Sequence, residues 1–326
     1  MCHIADSASD RKPFRAPGQA ACAVRWTRFD PTTILLAARS RVALTIREGK
    51  KMGDANKLRK WYFATNRHGL LNAFDQIQVA VLSARRWISL SPICLVETGG
   101  DPAGVSHQLE WLRAQGVTLL PRQSSFLADL RARYGADMDV YSGHWLRCDI
   151  PTIERDEPFV LYTDIDVMFV GPIDDNQIWP RYIACCPEHE QDDKSYFNSG
   201  VMVMNINNLR DRLPDLMQTV KRRLDYSQPH DDQGALNELF RNASDWLPTT
   251  WNWKPYWGRN DDARIVHFHG PKPALVRHFL ADRPADMSGE LQRIFMRDPQ
   301  GYAYYTERFY SVLIYALLRS GLSVPV

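Results

Sequence analysis

The chain has 326 residues and a mass of 37.5 kDa, which is long enough for one large domain or two small ones. Hydrophobic residues make up 44% and charged residues 24%, and this composition excludes a wholly disordered, a collagen-like or a small disulfide-rich chain. The net charge is +2, and residues 1–51 hold ten basic and four acidic side chains. The remainder of the chain is therefore mildly acidic and offers no broad basic surface, so we expect no nucleic-acid partner.

Residues 1–55 differ from the rest of the chain in their poor periodicity and in their many Pro, Arg, Ser and Ala residues. We interpret them either as a disordered basic tail or as translated upstream DNA in front of a native start at Met52. The second interpretation rests on Glu48 and Gly49, whose codons can contain a purine-rich ribosome-binding sequence. Residues 56–326 are expected to form a single domain, with a helical C-terminal region over 286–326.

Strands and helices alternate after Met52. Strands are predicted at Trp61–Thr65, Ser91–Glu97, Val117–Pro121, Phe159–Thr163, Tyr182–Cys186, Gly200–Asn205 and Arg264–Phe268. Helices are predicted at Leu70–Trp87, Gln108–Gln115, Ser125–Tyr134, Ser142–Cys148, Pro214–Leu224, Asp232–Phe240 and Tyr302–Leu318. This alternation predicts a Rossmann-like α/β fold, a mainly parallel sheet flanked by helices, with ligands at the carboxyl ends of its strands.

Neither a transmembrane helix nor a signal peptide is predicted, because no apolar run reaches the required length. This favours a cytoplasmic location, with peripheral contact at the inner membrane face as the alternative. The six cysteines form no Cys-x-x-Cys pair, so we expect reduced thiols rather than a zinc cluster.

A pair of carboxylates directly follows one predicted strand. Strand Phe159–Thr163 ends at Asp164 and Asp166, and two carboxylates with this spacing can hold Mg²⁺ or Mn²⁺ beside a diphosphate. An Asx-turn that closes the strand is the structural alternative. The similar pair Asp137 and Asp139 has no strand before it, and we interpret it as a loop or a helix cap.

Three further motifs follow this pair along the chain. They are Phe197-Asn198-Ser199-Gly200 before an apolar strand, Asp232-Gln233 at the start of a helix, and His267-Phe268-His269-Gly270-Pro271-Lys272-Pro273 after a strand. Each has a structural explanation when taken singly: a turn, an acidic helix N-terminus and a histidine at a strand end. Their common order and spacing are more specific than any one of them.

With these motifs the sequence resembles the retaining glycosyltransferases of family 8, the group of glycogenin and the bacterial lipopolysaccharide galactosyltransferases, over roughly Tyr62–Pro273. The resemblance implies the GT-A fold, in which a nucleotide-binding α/β sheet continues into an acceptor-binding half. It also implies a nucleotide-sugar donor, usually UDP-linked, and Mn²⁺ or Mg²⁺ as cofactor.

The resemblance also assigns individual residues to roles. It implies that Asp164, Asp166 and His267 bind the metal, with His269 as the alternative to His267; that Ala64, Thr65, Asn66, Gly270 and Lys272 contact the nucleotide and its diphosphate; that Arg147, Asn198 and Ser199 bind the donor sugar; and that Asp232 and Gln233 are catalytic. The last motif departs from the family pattern His-x-x-Gly-x-x-Lys-Pro-Trp. Its loop is one residue shorter before Lys272, and no Trp follows Pro273.

The implied reaction is the metal-dependent transfer of a hexose, with retention of configuration, to a glycan or lipid-linked acceptor. The metal and Lys272 would offset the charge on the leaving diphosphate. Because an amide is a weak nucleophile, front-face attack is favoured, with Gln233 positioning the reactants or stabilising charge and Asp232 holding a sugar hydroxyl. The alternatives are a nucleotide-sugar phosphohydrolase and a non-catalytic protein that binds a nucleotide sugar or a glycan.

Two segments bear on the acceptor. Trp251, Trp253, Tyr256 and Trp257 lie in one short stretch, which is interpreted either as the packed core of a loop or as a platform for sugar rings. The helix at Tyr302–Leu318 either packs on the core or touches a membrane surface.

Overall fold

A computed structural model describes residues 57–100, 102–173, 178–224, 231–281 and 289–319, and the structural statements below concern those residues. The predicted N-terminal segment 1–55, including Met52, lies outside them. The single domain expected over 56–326 therefore remains a prediction.

The strands and helices alternate as the sequence pattern predicts. The strands are β1 (Lys60–Asn66), β2 (Ser91–Glu97), β3 (Thr118–Pro121), β4 (Phe159–Thr163), β5 (Val167–Phe169), β6 (Ile183–Pro187), β7 (Phe197–Asn205), β8 (Asp245–Trp246) and β9 (Ile265–His267). The helices are α1 (Arg67–Asn72), α2 (Phe74–Trp87), α3 (Ser106–Ala114), α4 (Leu127–Tyr134), α5 (Met138–Trp145), α6 (Ile150–Ile153), α7 (Ile206–Arg223), α8 (Asp232–Phe240), α9 (Pro273–Leu280), α10 (Gly289–Phe295) and α11 (Pro299–Arg319).

The main sheet has the strand order β3-β2-β1-β4-β7-β6-β8. Its pairings are parallel except at β7, which runs antiparallel to both β4 and β6. This confirms the predicted α/β fold with a mainly parallel sheet. Because β7 is reversed, its first residues lie at the same edge of the sheet as the end of β4, and Val201 pairs with Thr163.

A second, two-stranded sheet carries the other part of the site. Strands β5 and β9 pair antiparallel, with Val167 opposite His267. Helix α2 holds β5 in place, because the Ser83 hydroxyl, which donates to the Val79 carbonyl, accepts a 3.0 Å hydrogen bond from the Phe169 amide. The two residues between β4 and β5 that carry carboxylates are therefore fixed at both ends.

The core lies on both faces of the main sheet. Along β1, Tyr62 packs into the cluster on one face, whereas Trp61 and Phe63 pack into the cluster on the other, as the two-residue period of a strand requires. Each such side chain contributes roughly 1.5–3 kcal/mol through burial. Tyr305 and Phe309 of α11 are buried against Met168 and other residues near β5 and β9, so the C-terminal helix packs on the core through this face.

Four local expectations need correction. The predicted helix Leu70–Trp87 is two helices, because the Asn66 side chain caps α1 at Gly69 and the chain breaks at Ala73. Strand β7 begins at Phe197, so Asn198 and Ser199 are extended residues and not part of a turn. Helix α7 begins at Ile206 and contains Pro214, the residue that was expected to start it. The short strands β5 and β8 were not predicted. The helices in the described ranges all lack the combination of length and apolar character needed to cross a membrane.

Candidate active site

The turn between β4 and β5 places two carboxylates beside the end of β9. The Asp164 amide donates to the Gly200 carbonyl at 2.8 Å, and the Phe268 amide donates to the Asp166 carbonyl at 2.9 Å. These backbone bonds tie the turn to β7 on one side and to the segment after β9 on the other. As a result, Asp164, Asp166 and His267 each offer one ligand atom, and these atoms lie within 4.8 Å of one another.

A chain of amide contacts fixes the ring of His267. The Gly200 backbone N–H donates to Asn198 Oδ1 at 3.0 Å, and the same oxygen accepts from Asn252 Nδ2 at 2.8 Å. Asn252 Oδ1 is therefore an acceptor, and it lies 3.0 Å from His267 Nδ1, so the neutral ring carries its proton on Nδ1. The free Nε2 then faces Asp166 Oδ1 at 3.3 Å. Two acceptors in this arrangement are suited to bridging by a cation.

The glycine of the Asn-Ser-Gly motif is required by this histidine. A Cβ atom on Gly200 would lie 2.3 Å from Cε1 and 2.8 Å from Nδ1 of His267. Such distances are too short for any side chain. The imidazole can therefore lie against β7 only because residue 200 has no side chain.

Lys272 returns to the same carboxylates. Its ammonium group donates to Asp166 Oδ2 and, at 2.9 Å, to the Phe268 carbonyl. Burial raises the pKa of Asp166, but the charge of Lys272 and the contact with His267 outweigh burial, and the pKa lies well below its usual range. Asp166 is consequently an ionised ligand group at neutral pH.

The short loop before Lys272 turns through Gly270. This residue has a φ of 90°, and a Cβ there would lie 2.7 Å from Ile294 Cγ2 and 2.9 Å from the Tyr302 hydroxyl oxygen. The Tyr302 hydroxyl donates to the His269 carbonyl at 2.6 Å. The loop is thus tight enough to bring Lys272 to Asp166 despite being one residue shorter than the family pattern.

Arg147 connects the carboxylate pair to the start of α8. Its guanidinium is buried, with Nη2 2.8 Å from Asp164 Oδ1 and Nε 2.9 Å from Asp232 Oδ2. Nη1 donates to both the carbonyl and the hydroxyl oxygen of Ser199 at 2.9 Å, and the group lies 4.9 Å from the centre of the Tyr162 ring. One cation therefore holds three of the predicted site residues together.

Asp232 places a buried carboxylate oxygen against the Arg147 guanidinium. Arg147 Nε is close to its Oδ2 but donates to the His144 carbonyl at 3.0 Å, and among the described residues this buried Oδ2 accepts no hydrogen bond. Burial, with help from the charge of Asp164 and against that of Arg147, raises the pKa of Asp232 to about 7. This oxygen is paired with Arg147 by charge but accepts no hydrogen bond, so it retains acceptor capacity for a hydroxyl group of a bound sugar.

Gln233 is held at both ends of its amide. Gln233 Oε1 accepts from the Ser199 amide at 2.8 Å, and Nε2 donates to Glu188 Oε2 at 3.1 Å. Asn198 Nδ2 donates to the same Glu188 oxygen at 2.8 Å, and the other oxygen of Glu188 lies 2.9 Å from His269 Nε2. The side chain of Gln233 is therefore oriented before any ligand binds.

Glu188 is a site residue that the sequence analysis missed. Burial would raise its pKa, but the hydrogen bond and charge of His269, together with Asn198, lower the pKa to about 2. The residue follows β6 directly, as Asp164 follows β4, and that signal could have identified it. His269 lies with Glu188, and among the described residues only His267 joins the group of Asp164 and Asp166.

Residues 145–281 match the family model described as glycosyl transferase family 8. This segment holds the residues from Arg147 to Lys272 that form the network above. This segment of the chain is therefore similar to glycosyl transferase family 8.

Individual proteins are also similar to part of this chain. Glucoside xylosyltransferase 1 of Gallus gallus is 26% identical to this chain over 33% of each protein. Glucoside xylosyltransferase 2 of Mus musculus is 28% identical over 33% of this chain and 32% of that protein. The chain thus spans about a third of the length of the curated relatives that it matches.

Solved structures extend the likeness to the fold. The galactosyltransferase LgtC, in complex with donor and acceptor sugar analogues, superimposes with a TM-score of 0.55 at 17% identity, over 82% of this chain and 97% of that one. The apo form of the glycosyltransferase GlyE of Streptococcus pneumoniae TIGR4 has a TM-score of 0.50 at 18% identity, over 78% and 64%. The expected GT-A fold is confirmed.

One predicted group of site residues lies apart from this network. Ala64, Thr65 and Asn66 end β1, and Asn66 Oδ1 accepts from the Gly69 amide at 2.9 Å. Asn66 Nδ2 donates to the Val140 carbonyl at 2.9 Å, so the amide joins β1 to α5. The contact of these three residues with a nucleotide stays a prediction.

The second pair of aspartates lies at the start of α5. Asp137 occupies the N-cap position of this helix but makes no side-chain capping hydrogen bond, and Asp139 lies in the first turn.

The aromatic stretch of the domain is largely packed. Trp251, Trp253 and Tyr256 are buried, and Trp257 is half-buried, with its Nε1 donating to the His189 carbonyl at 2.7 Å. Lys254 is also buried and lies 4.3 Å from the centre of the Trp257 ring. These contacts favour the interpretation as a loop core, which holds the segment after β6 in place.

Proposed function

We propose that this chain is a metal-dependent retaining glycosyltransferase that transfers a hexose from a nucleotide sugar, UDP-linked, to a glycan or lipid-linked acceptor. One observation carries the proposal: Arg147 joins the Asp164–Asp166–His267 group to Asp232 and, through Ser199, to Gln233. A group suited to a metal and a group suited to a sugar are therefore adjacent. The family match supports the reaction class.

The donor set fits a hard divalent cation. Two carboxylates and one imidazole nitrogen, within 4.8 Å of one another, suit Mn²⁺, and Mg²⁺ is the alternative. The fixed tautomer of His267 adds to this fit, because its unprotonated Nε2 faces Asp166. A divalent cation bound there supplies positive charge that offsets the charge on the leaving diphosphate.

The chain's own residues then have distinct tasks. Lys272 leaves Asp166 to bind the diphosphate, and Gly270 lets the loop backbone approach it. Ala64, Thr65 and Asn66 bind the nucleotide. Asn198, Ser199 and Arg147 line the sugar pocket, where Asp232 accepts from a sugar hydroxyl through the oxygen that is ion-paired with Arg147.

Front-face substitution is the proposed chemistry. The bond between the anomeric carbon and the diphosphate oxygen breaks, the acceptor oxygen bonds to that carbon on the same face, and the acceptor proton passes to the departing diphosphate. Both ends of the Gln233 amide are engaged, with Ser199 and Glu188, which supports a role in positioning and charge stabilisation and not in nucleophilic attack. The acceptor class and the cytoplasmic location, with peripheral contact at the inner membrane face as the alternative, belong to the same proposal.

Nucleotide binding gives the first test. Thermal unfolding is measured with UDP, GDP, CDP and ADP, each with Mn²⁺ or with EDTA, because a ligand of the folded state raises the unfolding temperature. We expect a shift with UDP that requires Mn²⁺ and is lost in Asp166→Asn and His267→Ala. Asp192→Asn and His107→Ala, which alter exposed residues of the same types, are the matched controls.

Product analysis separates the remaining functions. Incubation with UDP-hexoses and Mn²⁺, with and without sugar acceptors, is expected to yield UDP and a glycosylated acceptor with retained configuration. Release of sugar phosphate and UMP would assign the site to a phosphohydrolase. Tight UDP binding without turnover of any donor would assign it to a binding protein.

A further inference from the structure

A second group of ligand atoms lies beside the proposed donor site. Glu188, His189 and His269 each offer one ligand atom, and these atoms lie within 4.8 Å of one another. We call these residues the His–His–Glu cluster. His189 is exposed, so the cluster is open to ions in solution, whereas the side chain of Glu188 is mostly buried.

The aromatic loop holds the backbone of this cluster. The Tyr256 hydroxyl donates to the Glu188 carbonyl at 2.8 Å, and Trp257 Nε1 donates to the His189 carbonyl at 2.7 Å. Arg297 Nη2 donates to the same His189 carbonyl at 3.3 Å. The two adjacent residues therefore start from a fixed backbone, which lowers the entropy lost when their side chains bind a ligand.

His269 and Glu188 already lie at nearly the separation of two metal ligands. The Tyr256 hydroxyl, whose single proton is directed to the Glu188 carbonyl, lies 3.3 Å from His269 Nδ1. His269 Nε2 lies 2.9 Å from Glu188 Oε1, and a cation that displaces the proton of Nε2 would replace this hydrogen bond. Ligands of a tetrahedral Zn²⁺ with bonds of about 2.0–2.1 Å lie about 3.3 Å apart, so only a small widening is needed.

The chemistry of the cluster differs from that of the neighbouring carboxylate group. Two imidazoles and one carboxylate suit Zn²⁺ and the metals that imidazole prefers, whereas Asp164, Asp166 and one histidine suit Mn²⁺ or Mg²⁺. The rings of His267 and His269 are 5.8 Å apart between centres, so the two sites are adjacent.

We propose that the His–His–Glu cluster binds Zn²⁺ and that Zn²⁺ bound there inhibits the enzyme. Glu188 Oε2 accepts from Asn198 and Gln233, so a metal that draws Oε1 toward itself displaces the carboxylate that orients both of these donor-site side chains. The inhibitory effect rests on the proposed transferase function, whereas Zn²⁺ binding does not.

Calorimetric titration with Zn²⁺ tests the binding. The titration is made on Asp166→Asn, which disables the carboxylate group, and on the same variant with His189→Gln or His107→Gln added. We expect one Zn²⁺ site in Asp166→Asn and in the His107→Gln control, and at least tenfold weaker binding with His189→Gln. Equal Zn²⁺ affinity in all three proteins would overturn the proposal. His107 is an exposed histidine on α3, so the control removes the same chemical group elsewhere.

A Co²⁺ spectrum and an inhibition assay complete the test. Co²⁺ added to Asp166→Asn is expected to give the intense visible bands of a low-symmetry site, and these bands are lost with His189→Gln. In the otherwise unaltered protein, Zn²⁺ is expected to inhibit UDP-hexose turnover at saturating Mn²⁺, with an inhibitory concentration at least tenfold higher in His189→Gln. Zn²⁺ binding without inhibition would retain the site and reject the inhibitory role. Absence of turnover without Zn²⁺ would count against the transferase proposal alone.

Discussion

Asn252 Oδ1 lies 3.0 Å from His267 Nδ1, and this contact sets which nitrogen of the imidazole faces the carboxylates. The two residues belong to different elements of the chain: Asn252 ends a 3₁₀ turn at Thr249–Asn252, and His267 ends β9. Partners of this kind orient metal-binding histidines in many metal sites. The backbone N–H of Gly200 determines these orientations. It donates to the Asn198 side chain and so fixes which way the Asn198 amide faces.

Removing this contact is predicted to weaken metal binding. Asn252→Ala leaves the ring of His267 free to rotate and to change tautomer, so we expect about 10–100-fold weaker Mn²⁺ binding. Electron paramagnetic resonance of free Mn²⁺ measures the affinity without any nucleotide. Asn242→Ala, at an exposed position, is the control, and an unchanged Mn²⁺ affinity in Asn252→Ala would show that the contact has no such role.

Gly200→Ala is predicted to disrupt the site through packing. The new methyl group would lie 2.3 Å from His267 Cε1, so the ring has to leave the face of β7. We expect a loss of Mn²⁺-dependent UDP binding and a free energy of unfolding lowered by roughly 1–3 kcal/mol. Gly289→Ala is the matched control, because a Cβ there meets no atom within 4 Å. Denaturant unfolding and thermal shift measure the two effects, and wild-type behaviour of Gly200→Ala would contradict the geometry.

Lys272→Gln is predicted to change metal and nucleotide affinity in opposite directions. Lys272 donates to Asp166 and so competes with a metal for this carboxylate, and the variant is expected to bind Mn²⁺ roughly tenfold more tightly when no nucleotide is present. With Mn²⁺ saturating, it is expected to bind UDP roughly tenfold less tightly, because the diphosphate loses its ammonium partner. Calorimetry measures both affinities, with the exposed Lys57→Gln as control. A decrease in both would mean that Lys272 supports the metal site.

The stability of the protein is predicted to depend on Asp232 between pH 5 and pH 8. Its pKa is raised to about 7 in the folded protein, against about 3.9 when unfolded, so the folded state holds the extra proton in this range. Stability contributed by this group is therefore lost as the pH rises from about 4 through about 7. Asn at position 232 does not titrate. The free energy of unfolding of Asp232→Asn, relative to that of wild type, is therefore expected to rise by about 2 kcal/mol from pH 5 to pH 8.

Urea unfolding at the two pH values measures this gain. Asp192→Asn, at an exposed carboxylate, is the control and is expected to show no pH-dependent difference. A constant difference between Asp232→Asn and wild type would place the folded pKa outside this range.

The sequence predicted those parts of the site that combine a short motif with a strand or helix end. Asp164 after β4 and Asp232 at the start of α8 are examples, because a strand end or a helix start is visible as a local pattern. Asn252 could not be found in this way, since its importance comes only from the tertiary contact with His267. Strands β5 and β8 are two or three residues long and carry too few positions for a period to show.

The described cysteines are buried free thiols, at positions Cys94, Cys148, Cys185 and Cys186. Burial raises the pKa of each, to about 12 for Cys186, so an alkylating reagent reaches a reactive thiolate only when the surrounding structure opens. Cys148 adjoins Arg147, whereas Cys94 lies within β2, away from the network around that arginine. The ratio of the labelling rates of Cys148 and Cys94 therefore distinguishes local opening around the donor site from opening of the sheet.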